Sequence, residues 1–170
     1  VGPRRARRQE RGDLDTETTD LRGYICDIAL IRATDGEVLM DTLVNPQVPI
    51  HPEAYAVHGI QDADVTTAPT FGQLWPELRI QLEGRRVLVY NAQYDLGRIG
   101  HELDRTAAAP LGLDRRLGTW ECIMLQHAAW VGEWNGYHGN YRWHKLTGGD
   151  HRALGDCRAA RARLQEMAAG

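Results

Sequence analysis

The chain has 170 residues, 42% of them apolar, with 20 Lys and Arg against 23 Asp and Glu and a net charge of −3. That is enough chain for one domain with its own core, and it lacks the global basic field of many duplex-binding proteins, so any nucleic-acid contact is expected to be local. No apolar run approaches the roughly 20 residues that cross a bilayer, which argues against a membrane protein.

Along the chain, VGPRRARRQERG opens with five arginines in 11 positions and no apolar run behind them. It reads as a disordered arm over residues 1–12, without a secretory signal. RGDLDTETTD (11–20) then sets Asp13, Asp15, Glu17 and Asp20 within eight positions. Side chains at i and i+2 of a strand share a face, so Asp15 and Glu17 project together while Leu14 and Thr16 face the other way. Such acids repel one another unless a cation sits among them. A metal ion is the simplest candidate, and a solvated acidic turn is the alternative.

YICDIALIRA and VLMDTLVNP, joined by TDGE, predict a hairpin. HPEAYAVHGI reads as a short helix and loop, and residues 70–84 as a helix with Pro76 at an early position or a kink. RRVLVYNA is a short buried strand running straight into the helical pattern of YDLGRIGHELDR, a junction suited to chemistry. TWECIMLQHAAWVGEW predicts one helix, NGYHGNYRWHKLTGG (135–149) a Gly-rich aromatic loop, and DHRALGDCRAARARLQEMAA a final helix capped by Asp150. In that loop Tyr137, Tyr141 and Trp143 are expected to pin the chain to the core rather than to stack on bases. Arg152, Arg158, Arg161 and Arg163 are expected to solvate the outer face of the last helix. Cys26, Cys122 and Cys157 are odd in number and show no C-x-x-C spacing, which fits a reducing cytoplasm.

Three ordered motifs, DTETT, NAQYD and HRALGD, together with AVHGI between the first two, resemble those of the DEDDh, or DnaQ-like, 3′–5′ exonucleases of the ribonuclease H-like superfamily. The resemblance covers residues 13 to about 165, and a domain over 13–168 is expected. It implies an α/β fold with a mixed five-stranded sheet flanked by helices. It further implies that Asp15, Glu17, Asp95 and Asp156 hold two Mg²⁺ or Mn²⁺ ions and that His151 is the general base. Thr18, His58, Ile60 and Asn91 would meet the terminal nucleotide, although the VHGI segment also reads as a simple capped turn. His138 and His144 lack an acid at the motif spacing and are weaker bases by position. Tyr94 stands where the family pattern usually has phenylalanine.

The expected activity is release of nucleoside 5′-monophosphates from the 3′ end of single-stranded DNA or RNA, DNA favoured, with a DNA polymerase as a possible partner. The rival expectation is a catalytically silent nucleic-acid-binding module of the same fold. Because the family's first strand is central, the polar RRQERGDLD predicts a shortened strand, roughly Gly12 to Thr16, a frayed arm before it and loosely held carboxylates.

Overall fold

The computed structural model describes residues 10–106 and 118–170, so most of the arginine-rich arm lies outside the described residues. Strands β1 (Arg11–Thr18), β2 (Ile25–Arg32) and β3 (Val38–Leu43) form an antiparallel meander, while β4 (Arg86–Val89) and β5 (Thr119–Cys122) add in parallel on the other side of β1. The sheet order is β3-β2-β1-β4-β5, which makes the acid-bearing strand central. Helices α1 (Pro52–His58), α2 (Asp62–Val65), α3 (Phe71–Leu82), α4 (Ala92–Arg105), α5 (Ile123–Val131) and α6 (Ala153–Ala169) complete the main body. A small hairpin of β6 (Trp134–Asn135) and β7 (Asn140–Tyr141) links α5 to α6.

The two faces of the sheet are covered differently. On one, Leu14, Ile28, Leu30, Val87 and Val89 pack with Phe71, Trp75, Leu78 and Leu82 of α3 and Ile99 and Leu103 of α4. On the other, Ala29 and Ile31 meet Ala153 and Cys157 of α6, and Leu88 and Tyr90 meet Ile123 and Ala160. The small side chains of α6 let that helix lie close over β1 and β2, where the carboxylate row of β1 emerges.

Four expectations need correction. The first strand is not cut to Gly12–Thr16: it runs from Arg11 to Thr18. Its polar residues are tolerated because Arg11 is exposed, Glu10 pairs with Arg85, and apolar β2 supplies the burial that β1 lacks. The segment from Thr119 splits into β5 and α5, since its first four residues pair with β4 before the helix begins. The final helix starts at Ala153, so Asp150 is not its N-cap; the Asp150 carboxylate instead accepts from the Arg152 N–H at 3.2 Å. Finally, Arg158 is exposed as expected, but the other three arginines of this segment do more than solvate the helix. Arg152 pairs with Asp27, Arg161 donates to the Ala33 and Thr34 carbonyls, and Arg163 binds Glu166 and Thr147. The Pro76 expectation is met in part, as the proline lies inside α3, in its second turn.

Candidate active site

The site is built on β1. Alternation sends Leu14 into the core and leaves Asp13, Asp15 and Glu17 on the α6 face, the division expected from a period of two. A register shift between Glu17 and Thr18 marks a bulge at the strand's end, a common device for aiming side chains beside a site. Asp156, in the first turn of α6, closes the group: one carboxylate oxygen each from Asp15, Glu17 and Asp156 lie within 4.8 Å of one another. Asp95 comes from the first turn of α4, directly after β4, where the helix N-terminus favours a carboxylate. Its Oδ1 accepts from Thr16 Oγ1 at 2.7 Å, which ties it to β1.

The backbone around Asp156 is shaped to hold it. Its Oδ1 accepts N–H bonds from Asp150 and His151, both at 3.1 Å. Gly149 makes this approach possible, since a Cβ there would stand 2.1 Å from Asp156 Oδ1. His151 has φ 58°, a left-handed conformation uncommon outside glycine, and its side chain is exposed. The strained turn delivers the histidine to the rim of the cluster, within five residues of Asp156.

Electrostatics give this arrangement its meaning. Burial first, then the neighbouring Asp95, Glu17, Asp156 and Asp27 carboxylates, holds Asp15 well above the usual carboxylate range. Burial and the Asp156, Asp27 and Asp95 charges push Glu17 up to about 8. Asp95 is pushed up to about 7 by burial, against the hydrogen bond from Thr16. Burial raises Asp156 as well, opposed by the His151 N–H. Four carboxylates that resist sharing their charge are a donor set of oxygens only, the set that hard divalent cations take. The residues therefore fit a hard divalent cation, which would remove the repulsion that raises these groups.

The remaining expected residues fall around the rim. Thr18 is buried at the end of β1, with its Oγ1 donating to the Asp20 carbonyl and lying 2.6 Å from Tyr94 Oη. The tyrosine hydroxyl, absent from the phenylalanine of the usual pattern, thus latches α4 to β1. His58 and Ile60 are buried; His58 Nδ1 accepts from the Ile60 N–H and its Nε2 lies 3.2 Å from the Thr18 carbonyl. His58 thus backs Thr18 from within, while Ile60 packs with Cys26 and Val65. Asn91 is exposed immediately before α4. His51, His101 and His127 serve structure: His51 caps α1, His101 stacks on Tyr24, and His127 stacks on Trp130.

Sequence reasoning missed Asp27 and Arg152. Asp27 lies opposite Glu17 in the β1–β2 register, buried, with its Oδ2 accepting from Arg152 Nε at 2.8 Å and from the Ala153 N–H at 3.3 Å. It anchors the N-terminus of α6 to the sheet beside the site. The available signal was a lone acid inside the apolar run ICDIALI. Asp13 is also buried, with neither carboxylate oxygen hydrogen-bonded among the described residues; burial pushes it up to about 7, partly offset by Arg161.

This geometry agrees with known proteins. The RNase_T exonuclease family model matches residues 14–163. The chain is 33% identical over 171 residues to the uncharacterized exonuclease CP81 of Escherichia phage 186, covering 92% of this chain and 87% of that protein. It is 31% identical over 163 residues to exodeoxyribonuclease 10 of Escherichia coli K12, covering 91% of this chain and 66% of that one. A solved structure of exonuclease X in complex with 5′ overhanging duplex DNA superposes with a TM-score of 0.64 at 29% identity, over 92% of this chain and 90% of the other. The motifs, the carboxylate cluster on a central strand and these similarities converge on one conclusion: the chain belongs to the exonuclease family, as a DEDDh 3′–5′ exonuclease of ribonuclease H-like fold.

Proposed function

We propose that this exonuclease releases nucleoside 5′-monophosphates from the 3′ end of single-stranded nucleic acid, DNA in preference to RNA, using two Mg²⁺ or Mn²⁺ ions. The observation that carries the reading is the meeting of Asp15, Glu17 and Asp156 oxygens within 4.8 Å, with Asp95 coupled to them electrostatically. Asp15, Glu17, Asp95 and Asp156 would hold the ions. When bound, the metals would stabilise charge on the phosphodiester oxygens and make a water more acidic.

The chain's own residues supply the rest. His151, exposed at the rim and carried on the turn that binds Asp156, takes a proton from the attacking water, a role for which imidazole is the side chain suited near neutral pH. Thr18 and Asn91, with His58 and Ile60 behind Thr18, form the wall against the terminal nucleotide. Arg152 stands beside His151 and is held by Asp27, which steadies the start of α6. Retention of all five motif residues, with oxygens of Asp15, Glu17 and Asp156 gathered within 4.8 Å, supports catalysis over a silent binding module.

The DNA preference draws support from exodeoxyribonuclease 10 and from the DNA-bound neighbour. A DNA polymerase partner draws support from similarity to DNA polymerase III epsilon subunits, 28% identical over 100 residues in Escherichia coli K12. A cytoplasmic setting draws support from three free cysteines, and among the described residues no helix is long and apolar enough to cross a membrane. The test follows mononucleotide release from 3′-labelled and 5′-labelled single strands of DNA and RNA with Mg²⁺. Early loss of the 3′ label with a shortening 5′-labelled ladder, faster on DNA, is expected. Early release of the 5′ label would overturn the polarity, and faster RNA cleavage would overturn the DNA preference.

A further inference from the structure

The β6–β7 hairpin and the strand leading out of it are the part of the molecule that the catalytic cluster leaves unexplained. Tyr137, Tyr141 and Trp143 were expected to pin the loop, yet they are 92%, 40% and 59% exposed. The pinning is done by other groups. Tyr90 Oη donates to the His144 carbonyl at 2.9 Å, the His144 ring meets His127 edge-on, and Leu146 packs beside Tyr90 and Ile123. The aromatics are therefore held out on a fixed support, which is costly for a protein unless a partner covers them.

Charge identifies the kind of partner. In a chain of net charge −3, residues 134–149 contain Arg142, Lys145, His138 and His144 and no acid. Glu133 lies 3.9 Å from Arg142 Nε and 3.7 Å from His144 Nε2, and among the described residues Lys145 has no ion pair. Asn135, His138, Asn140, Tyr141, Arg142 and Trp143 line an open cavity of about 300 Å³. Exposed aromatic faces interleaved with cations and amides are what single-strand binders present: the rings stack on bases, and the cations track phosphates.

Position ties this surface to the site. The segment 142–151 runs directly from the hairpin to His151, and its anchor, Tyr90, stands at the end of β4 one residue before Asn91. The seven residue-to-residue steps from His144 to His151 span at most about 25 Å, a distance that a strand of several nucleotides covers. We infer that the β6–β7 hairpin, with Tyr137, Tyr141 and Trp143, is a stacking platform for single-stranded nucleic acid lying 5′ of the terminal nucleotide.

The inference rests on the exonuclease reading, and the test separates the two. kcat and KM for mononucleotide release are measured on single-stranded DNA of about 12 nucleotides and on a trinucleotide too short to reach the hairpin. The wild type is expected to favour the longer strand. In a Tyr137→Ala/Trp143→Ala double variant the KM for the long strand should rise at least about tenfold with kcat retained, as loss of base stacking requires. Tyr137→Phe/Trp143→Phe should restore it, because the ring faces remain, whereas Leu125→Ala, an exposed apolar residue on α5, should not raise it. Melting temperatures of the variants control for folding. A wild type without length preference, or a double variant that keeps the wild-type KM, overturns the inference. Failure of the wild type to release mononucleotides from either strand overturns the exonuclease reading instead.

Discussion

Gly149→Ala tests the carboxylate geometry through a residue that carries no chemistry of its own. The added Cβ would lie 2.1 Å from Asp156 Oδ1 and 2.9 Å from its Cγ. Non-bonded heavy atoms rest near 3.5 Å, so the carboxylate or the 149–151 backbone must yield by roughly 1 Å. Either movement breaks the two 3.1 Å bonds from the Asp150 and His151 N–H groups. It therefore displaces Asp156 and the turn bearing His151 together. A misplacement of that size costs about 10²-fold in rate, while the fold, whose core lies elsewhere, should melt within a few degrees of wild type. The assay is kcat/KM for mononucleotide release at saturating Mg²⁺, with Gly97→Ala as control, because a Cβ at Gly97 meets nothing within 4 Å. Wild-type turnover by Gly149→Ala would refute the claim that the glycine turn positions the site.

Further outcomes follow from the same structure. In chelator, Glu17 at about 8 and Asp95 at about 7 are raised above their unfolded values near 4, so their ionisation penalises the fold; the penalty is absent below about pH 4 and grows as pH rises toward 8. The metal-free protein should thus melt lower at pH 8 than at pH 5, by roughly 5 °C or more, and Glu17→Gln should flatten that slope; a melting temperature independent of pH would contradict it. His151→Ala should lower kcat by about 10²-fold or more with metal binding kept, whereas His144→Ala should have little effect on kcat; equal losses would reopen the assignment of the base. Asp27→Ala should lower the melting temperature by a few degrees through loss of the α6 anchor, since a lost cap costs about 1 kcal/mol, and an unchanged value in thermal denaturation would refute the anchoring role.

The candidate site acids were legible because metal chemistry demands residue types at fixed spacing, and that spacing is present in DTETT, NAQYD and HRALGD. The β2–β3 hairpin was legible for another reason: β2 is buried along almost its whole length and reads as an apolar run. β1 misled because its burial comes from the partner strands and from Arg85, which takes up Glu10, and none of that is visible locally. The break between β5 and α5 was hidden because no Gly, Pro, Asn or Asp separates TWEC from IMLQHAAW, and pairing with β4 decides between strand and helix. Asp27 went unnoticed because its role depends on an arginine 125 positions away. The aromatic loop was misjudged since sequence gives ring content and not exposure; the hydroxyl of Tyr90 holds the loop, which frees its own rings.

The central claim is that Asp15, Glu17, Asp95 and Asp156 act together as a divalent-cation site for phosphodiester hydrolysis. Its most direct test is the rate of mononucleotide release from a single-stranded DNA 3′ end by Asp15→Asn at saturating Mg²⁺, alongside the wild type with and without chelator. The substitution removes one charge at nearly constant size, so the account predicts a folded variant with activity lost, a wild type silenced by chelator, and a variant that in chelator melts above the wild type because one repelling carboxylate is gone. Near-wild-type turnover by Asp15→Asn, or undiminished wild-type release in chelator, would contradict it.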